Sequence, residues 1–270
     1  MIGALPCLVP DPSYWKSLWL SRLDDYLEVT DTRIRFMMKE AQQGDILSRT
    51  RARLLRLIDA KSTERTRIQE LFADLKVGSL PMSRSVMPPR PESLEGRLAV
   101  LECYEHIFRD WAWGEPENTR LAALVARLVG RKIDSLAVYG AGAGRLAFDV
   151  HKLLSPNCTL ALDLNPLPLL IAERLIRGES LELDEFPVSP STDRSMVVRQ
   201  RLSAPSSAIE GLRFAFADAL QPPFRPGTVD AVLTPWFVDS IPLDLRETLA
   251  IINRALRPGG LWIQIGPLNF

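Results

Sequence analysis

The sequence predicts an α/β fold in which a doubly wound, mostly parallel sheet follows a helical N-terminal region. From Ile133 onward, short apolar strands alternate with amphipathic helices, which is typical of parallel sheets covered by helices on both faces. Before that point, apolar residues recur at helical spacing. Because the 270 residues suffice for two domains, we expect a helical region with a linker at 1–92 and the α/β domain at 93–270.

The N-terminal region shows helical periodicity from about Pro12 to about Val77. Apolar side chains recur three or four residues apart, and charged residues fill the other faces. The apolar positions are Trp15, Leu18, Trp19, Leu23, Leu27, Leu54, Leu55, Ile58, Ile68 and Leu71. The proline-broken segment Leu80–Glu92 is predicted to be a linker or loop. Two more helices are predicted, over Leu94–Trp111 and from Pro116 to Gly130.

The second half of the chain contains five predicted strands with helices between them. The strands are "IDSLAVYG", "CTLALDLN", "GLRFAFADA", "VDAVLTPWF" and "LWIQIGPL". The helices are "GRLAFDVHKLL", "PLLIAERLI" and "LRETLAIINRALRPGG", the last of which is expected to end at its glycine pair. A longer insert, Gly178–Ser207, holds two segments that could form a hairpin or an added sheet edge.

Composition excludes several classes of function. The 33 basic residues balance the 33 acidic residues, so no basic field predicts a nucleic-acid partner. Three scattered cysteines and two histidines show no metal-ligand spacing, and no metal is expected. The apolar start of the chain is short and broken by Pro6 and Pro10, which predicts neither a signal peptide nor a membrane span. A cytoplasmic location is expected.

The most informative motif is the glycine-rich turn "YGAGAGRLAFD" after the first predicted strand. In an open, Rossmann-like sheet, ligands bind at the carboxyl ends of the strands, and glycines allow a ligand to approach the main chain. A dinucleotide-binding fingerprint would have glycine at position 145, where this sequence has Arg145. The spacing of Gly140, Gly142 and Gly144 is instead that of class I S-adenosylmethionine-dependent methyltransferases.

Two acidic residues stand where such an enzyme needs them. Asp163 ends the second predicted strand and is placed to bind ribose hydroxyls, and Asp218 follows the third and is placed to contact the adenine amine. Each feature alone has a simpler explanation, because glycine loops also form plain turns and aspartates also cap helices. Their order favours S-adenosylmethionine as cofactor. A Rossmann oxidoreductase and a non-catalytic methyltransferase-like scaffold stay open as alternatives.

Four motifs resemble the carnosine N-methyltransferase family and its bacterial relatives. They are "YEHIFRDWAWG", "GAGAGRLAFD", "TPWFVDSI" and "LRPGGLWIQIGPLNF", and the resemblance covers roughly Leu94–Phe270. It implies that Arg109 reaches the methionine carboxylate of the cofactor, for which a guanidinium is well suited. His106 lies one helical turn earlier, where the family has a glutamine. A surface ion pair for Arg109 and a partly buried histidine are the simpler alternatives.

The same resemblance implies a substrate site after the fourth predicted strand. In this family an aspartate at the position of Asp239 fixes the imidazole of a histidine-containing dipeptide. Trp236 and Phe237 could wall the pocket or could simply be core residues. The segment "TPWF" also resembles the Asn/Asp-Pro-Pro-Tyr/Phe motif of amino-group methyltransferases. It lacks that motif's first amide, so a main-chain carbonyl at Pro235 would take its place. The alternative for Asp239 is a helix cap before Pro242.

The chain departs from the family at two points. "DLNP" stands in place of the family's Gly-Asn-Glu motif, and the family continues beyond "GPL" with a histidine of the substrate site and two more strands. A different nitrogen or another nucleophile of a small molecule therefore stays open as acceptor. With strand order 3-2-1-4-5, the last strand forms a sheet edge. We expect either a shortened, weakly active chain, or an edge covered by the N-terminal helices or by a second copy in a homodimer.

Overall fold

The computed structural model describes residues 5–76, 99–101, 104–206, 209–241 and 243–267. The predicted linker Leu80–Glu92 and the predicted helix start at Leu94 lie outside these ranges, and so does the expected domain boundary at residues 92 and 93.

The N-terminal region is helical, as predicted. It consists of α1 (Pro12–Ala41), α2 (Ser48–Leu71) and the short α3 (Ala73–Lys76). Asp11 caps α1, because its Oδ1 accepts a hydrogen bond of 2.9 Å from the backbone N–H of Tyr14. The buried residues of α1 include Trp15, Leu18, Trp19, Leu23 and Leu27, the stripe that the sequence indicated.

The segment before the sheet contains a feature that the sequence did not predict. A short helix, α4 (Tyr104–Phe108), continues into one turn of π-helix at Arg109–Trp113, which we call the π segment. Helix α5 (Glu115–Val129) follows and ends at Gly130, whose φ of +60° is the left-handed conformation common after a helix. Single π turns inside helices occur frequently at functional sites.

The α/β part follows the predicted alternation. Its elements are β1 (Ser135–Tyr139), α6 (Arg145–Leu154), β2 (Cys158–Asp163), α7 (Pro166–Ile176), β3 (Leu181–Glu185), β4 (Val198–Leu202), β5 (Leu212–Phe216), β6 (Val229–Pro235), α8 (Leu245–Ala255) and β7 (Leu256–Ile265). Five strands form one parallel sheet in the order β5-β2-β1-β6-β7. The order reverses beside β1, which is where open α/β sheets bind ligands.

The insert between α7 and β5 forms a hairpin outside the main sheet. Strands β3 and β4 pair with each other in antiparallel register. Arginines of α2 hold the loop between them: Arg49 pairs with the carboxylate of Asp193 at 2.8 Å, and Arg53 pairs with the same carboxylate. Arg56 donates to the carbonyl of Val197 at 2.9 Å. The N-terminal helices therefore support the hairpin.

Helix α8 ends earlier than the sequence predicted. It stops at Ala255, and β7 begins at Leu256, four residues before the second glycine of the pair. Pro258 disfavours helical backbone at Arg257. In addition, the N–H of Thr228 donates a hydrogen bond of 3.1 Å to the carbonyl of Ala255. The chain therefore enters the sheet directly from the helix, and Leu256 pairs with Val229 of β6.

One apolar cluster joins the helical region to the sheet. It contains Trp19 and Phe72 of the N-terminal helices together with Phe148, Phe214 and Phe216 of the α/β part. Burial of this size is the main stabilising contribution to such folds. The N-terminal helices are therefore part of the core that supports the sheet.

The two edges of the sheet differ. Beside β5, the N-terminal segment forms a short parallel bridge, in which the N–H of Leu8 donates to the carbonyl of Phe216 at 2.8 Å. At the opposite edge, β7 pairs with β6, and Trp262 and Ile265 are partly exposed. The N-terminal segment thus lies at the edge opposite to the one for which cover was expected, and the homodimer stays a prediction.

Membrane-spanning helices and metal-binding clusters are both absent from the described residues. None of their helices is long and apolar enough to cross a membrane. Within the same residues there is no group of three or more histidine, cysteine, aspartate or glutamate side chains that could hold a metal ion.

Candidate functional site

A pocket of about 500 Å³ opens at the carboxyl ends of β1, β2, β5 and β6, and we call it the strand-end pocket. Its lining includes most of the residues that the sequence indicated: His106, Arg109, Gly140, Gly142, Asp163, Asp218, Pro235, Trp236 and Phe237. Two predicted residues, Gly144 and Asp239, are not part of this lining. Residues far apart in the sequence therefore converge on one concave site of the size that small ligands occupy.

The three positions in the loop between β1 and α6 require glycine for different structural reasons. All three have positive φ, which favours glycine. A Cβ at Gly140 would lie 2.7 Å from the ring of Phe237, and one at Gly144 would lie 2.5 Å from the ring of Phe214. Gly144 thus packs against the core and serves the fold, whereas it was expected to contact the cofactor.

Gly142 is the glycine that faces open space. A Cβ built there meets no atom of the described residues within 4 Å, although the residue lines the pocket. Its N–H donates to Oδ2 of Asp163 at 2.7 Å. Close packing inside the protein therefore explains Gly140 and Gly144, whereas the space above Gly142 suits a ligand that approaches the main chain.

Main-chain N–H groups orient both predicted acidic residues. Oδ1 of Asp163 accepts from the N–H of Asn165 at 2.9 Å, which leaves each carboxylate oxygen of Asp163 with one backbone donor. Oδ1 of Asp218 accepts from the N–H of Leu220 at 2.8 Å. Carboxylate oxygens accept hydrogen bonds from hydroxyl and amine groups. Both side chains are thus preorganised acceptors at neighbouring strand ends.

The π segment brings two charged side chains to the pocket. Arg109 donates from Nε and Nη2 to Oδ1 of Asp110, at 3.0 and 2.8 Å. The guanidinium carbon of Arg109 also lies 5.6 Å from the centre of the Trp236 ring. Burial raises the pKa of the Asp110 carboxyl, and the nearby Arg109 opposes that rise. The simpler alternative for Arg109 was a surface ion pair. Arg109 does form an ion pair, but its partner Asp110 lines the pocket.

The π turn depends on a glycine. The N–H of Gly114 donates to the carbonyl of Arg109 at 2.6 Å, closing a ring one residue wider than in an α-helix. A Cβ at Gly114 would lie 2.2 Å from that same carbonyl oxygen, which belongs to the backbone. The turn in this form therefore requires glycine at position 114.

The loop after β6 forms another wall of the pocket. Trp236 has a φ of +48°, which is strained for a residue with a side chain, and its N–H donates to the carbonyl of Ile265 at 2.6 Å. Its side chain is 41% exposed, so the indole contributes a large apolar face that is open to a ligand. Phe237 packs edge-on against Tyr139 beneath the pocket, with ring centres 6.2 Å apart.

Asp239 lies in the turn of 3₁₀-helix Val238–Ser240, beside the pocket. Its neighbours Ser240 and Ile241 line the pocket. Its Oδ1 is buried and has no hydrogen-bond partner among the described residues. The cap of α8 is Asp244, whose Oδ1 accepts from the N–H of Arg246 at 2.8 Å. The capping explanation considered for Asp239 therefore belongs to Asp244.

Sequence reasoning missed five polar residues of the lining: Asp110, Glu117, Asn118, Asn165 and Ser240. Asp110 directly follows Arg109, and an acid beside the arginine that was expected to bind a carboxylate was a usable signal. Asn118 is buried on α5, and Nδ2 of its side chain lies 3.4 Å from the carbonyl of Asp110. Asn165 caps α7 by accepting from the N–H of Leu167 at 3.1 Å, which explains the asparagine without a ligand.

The residues of the strand-end pocket fit S-adenosylmethionine. The open space over Gly142 leaves room beside the main chain, and Asp163 and Asp218 are oriented acceptors for hydroxyl and amine groups. At the other end of the pocket, Arg109 and Asp110 offer a cation and an anion, which match the two charges of an amino-acid group. The donor set thus complements a nucleoside joined to an amino acid.

Comparisons with known proteins give a consistent result. Residues 138–263 match the family model described as a methyltransferase domain. None of the curated proteins matches the chain. Among solved structures, the chain is similar to a protein from Methanococcus maripaludis described as an S-adenosyl-L-methionine-dependent methyltransferase, with 16% identity, a TM-score of 0.45, and coverage of 69% of this chain and 68% of that one.

Two further solved structures resemble smaller parts of the chain. Phosphoethanolamine N-methyltransferase 2 of Haemonchus contortus has 19% identity and a TM-score of 0.38, with 59% of this chain and 30% of that one covered. Geranyl diphosphate C-methyltransferase of Streptomyces coelicolor has 16% identity and the same TM-score, with 54% and 42% covered. The chain thus spans less than half the length of either protein. One of these proteins methylates nitrogen and the other carbon.

The family match covers the strands and loops that build the floor of the strand-end pocket, including the glycine-rich turn and both oriented acids. Residues 138–263 are therefore similar to a methyltransferase domain, and the cofactor that the strand-end pocket fits is S-adenosylmethionine.

Proposed function

We propose that this chain transfers the methyl group of S-adenosylmethionine to a nitrogen atom of a small molecule, such as the imidazole of a histidine-containing compound. The observation that carries this proposal is the buried Oδ1 of Asp239, which has no hydrogen-bond partner among the described residues. A buried acceptor without a partner costs about 1–3 kcal/mol. A ligand that donates an N–H to this oxygen would offset that cost.

The chemistry of methyl transfer agrees with such a carboxylate. When bound, the cofactor supplies an electrophilic methyl group, and transfer is an in-line displacement that needs an aligned, neutral nucleophile. In neutral imidazole one nitrogen carries the proton and the other carries the lone pair. If Asp239 accepts the N–H, the lone pair of the second nitrogen stays free to attack. The role of Asp239 is therefore to accept the ring N–H and orient the ring, and its carboxylate would take up that proton after methylation has made the ring cationic.

The cofactor contacts that we propose follow the two ends of the pocket. Asp163 would accept from ribose hydroxyls, and Asp218 would accept from the adenine amine. Arg109 would bind the methionine carboxylate, with His106 beside it. The carbonyl of Pro235 would take the position that a side-chain amide has in amino-group methyltransferases.

Size and lining support a small acceptor. A cavity of about 500 Å³ lies within the range of about 300–1,000 Å³ typical of small-molecule sites. Trp236 and Phe237 would wall the acceptor's end, because the indole of Trp236 is partly exposed beside Arg109. The chain's equal numbers of basic and acidic residues do not favour a nucleic-acid substrate.

The experiment that tests the proposal begins without a chosen substrate. The full chain is incubated with methyl-labelled S-adenosylmethionine and a metabolite extract, and the labelled product is identified by mass spectrometry and NMR. We expect label on a ring nitrogen. Label on carbon or oxygen would contradict the nitrogen assignment and leave methyl transfer intact. Tight binding of S-adenosylhomocysteine without transfer to any extract would instead support a non-catalytic scaffold.

A variant pair then tests Asp239 itself. Asp239→Asn should lower kcat/KM for the identified acceptor by roughly tenfold to a hundredfold, the loss expected for a charge-assisted hydrogen bond of about 1.5–3 kcal/mol. S-adenosylhomocysteine affinity, measured by calorimetry, should stay within twofold of the wild type. Asp244→Asn is the matched control, because it changes an acid five residues away that caps α8, and asparagine caps equally well. Equal kinetic losses in both variants would remove the substrate role of Asp239.

A further inference from the structure

Arg145 stands at the position where the dinucleotide-binding fingerprint has a glycine, and its side chain points into the protein. Only 6% of the side chain is exposed, although it carries a permanent charge. Nε donates to Oδ2 of Asp149 at 2.8 Å, one turn later on α6. Nη1 donates to the main-chain carbonyl of Asp110 at 3.0 Å. The guanidinium therefore joins α6 to the π segment.

A second contact fastens the π segment to the glycine-rich loop just before α6. Nε1 of Trp111 donates to the carbonyl of Ala143, in the glycine-rich loop, at 2.7 Å. The guanidinium carbon of Arg145 lies 5.4 Å from the centre of the Trp111 ring, so the side chain of Arg145 also contacts the indole. The main chain at Asp110 is thus fixed to the start of α6, and the side chain of Trp111 is fixed to the glycine-rich loop before it.

Stability alone does not account for this arrangement. Burial raises the pKa of Asp149 against the attraction of Arg145, so removing this pair from water is unfavourable for the carboxylate. Buried ion pairs often contribute no more stability than apolar residues of the same volume. Their best-attested use is to fix one arrangement among several, and here the arrangement that they fix includes two pocket residues, Arg109 and Asp110.

We propose that Arg145 is a positioning residue for cofactor binding: it holds the π segment against the glycine-rich loop and so places Arg109 and Asp110 at the wall of the strand-end pocket. This inference rests on the proposed role of Arg109 toward the cofactor. Arg145 acts through its three partners and is not part of the pocket lining. A lysine could reach one of these partners, but it lacks the planar group that serves all three.

The test compares three arginine variants for S-adenosylhomocysteine affinity by calorimetry, with the full chain. Arg145→Met should raise Kd by roughly tenfold, within the range of coupling between residues in contact. Arg145→Lys should recover only part of that loss. The matched control is Arg177→Met, because Arg177 also pairs with an acid one turn away, Glu173 at 2.7 Å, on helix α7. The control should leave Kd unchanged.

A double-mutant cycle separates positioning from general destabilisation. In the Arg109→Ala background, Arg145→Met should have little further effect on Kd, because Arg109 is the proposed cofactor contact through which Arg145 acts, and that side chain is already absent. An equal loss in both backgrounds would overturn the inference, and so would an unchanged Kd in Arg145→Met. If Arg145→Met does not fold, Trp111→Phe removes the second contact and must show the same non-additivity. Absence of S-adenosylhomocysteine binding in the wild type would instead refute the proposed function.

Discussion

The strand-end pocket has two sides that are built by different means. Its floor consists of the glycine-rich loop with Asp163 and Asp218, and its wall consists of the π segment with Trp236. In the floor, backbone N–H groups orient both acids, through bonds of 2.7–2.9 Å. In the wall, side chains hold one another: Arg109 bonds to Asp110 and lies over Trp236.

This difference has a consequence for how each side tolerates substitution. The floor is fixed by the sheet, since β1, β2 and β5 are buried parallel strands whose ends cannot move independently. The wall contains unusual backbone at two points, the π turn closed by Gly114 and the positive φ of Trp236. Strained or irregular backbone persists only where its surroundings enforce it. We therefore expect single contacts to determine the positions of the wall residues. In the floor, the main-chain geometry of the sheet should determine the positions of the residues.

The largest effect should come from Gly114→Ala, which disrupts the π turn that forms part of the wall. The added Cβ would lie 2.2 Å from the carbonyl oxygen of Arg109, and backbone cannot yield as a flexible side chain can. The π turn must open, so Arg109 and Asp110 leave their places together. We expect S-adenosylhomocysteine to bind roughly a hundredfold more weakly, the upper end of what losing a charge-assisted contact produces.

The control for this variant is Gly44→Ala. Gly44 also has an ordinary backbone conformation, and a Cβ there meets no described atom within 4 Å. Calorimetry should give the wild-type Kd for the control, and circular dichroism should show that both variants are folded. If Gly114→Ala keeps full affinity, the wall is not held by the π turn.

The next effect belongs to the floor. Asp163→Ala removes the acceptor of the Gly142 and Asn165 N–H groups and the proposed ribose partner. We expect Kd for S-adenosylhomocysteine to rise by roughly tenfold to a hundredfold, since one charge-assisted hydrogen bond contributes about 1.5–3 kcal/mol. Asp193→Ala serves as control, because this acid pairs with arginines of α2 and is not part of the pocket lining. Unchanged affinity in Asp163→Ala would remove the ribose assignment.

The floor could be predicted from the sequence because its signals are local. A glycine-rich turn between an apolar strand and a helix, with an acid at each of the next two strand ends, has few structural solutions. The positions of Asp163 and Asp218 beside their strand ends follow from such signals. The strand order is the usual one for a methyltransferase sheet, and the sequence left the insert undecided between a hairpin and an added sheet edge. Gly144 shows the limit of this reasoning, because the sequence does not reveal that its neighbour is the buried ring of Phe214.

The wall could be predicted only in part, because it depends on contacts between distant segments. Arg109 and Trp236 were indicated by resemblance, but their 5.6 Å contact joins residues 127 positions apart. A π turn of five residues is too short to leave a periodic signal in the sequence. The proximity of Trp236 to Gly266 could be predicted only if the position of β7 were known. The early end of α8 has the same origin, since strand pairing with β6 overrides the helical pattern of the sequence.

The smallest effect should sharpen the comparison by moving one side chain of the wall. Gly266 follows β7, and a Cβ there would lie 2.8 Å from Cδ1 of Trp236. Gly266→Ala should therefore push the indole toward Arg109 and the pocket. Because Trp236 is 41% exposed and can shift, we expect only a loss of about 1 kcal/mol in binding, or roughly a fivefold rise in Kd for S-adenosylhomocysteine.

Gly259→Ala is the matched control. Gly259 also has positive φ, and it belongs to β7, but a Cβ there meets nothing within 4 Å. Both variants strain the backbone, and urea unfolding should show that both lose stability. Only Gly266→Ala should change Kd, and its effect should vanish in the Trp236→Gly background. An equal change in Kd for both glycine variants would mean that backbone strain alone weakens the pocket, and the wall would then be no more dependent on single side-chain contacts than the floor.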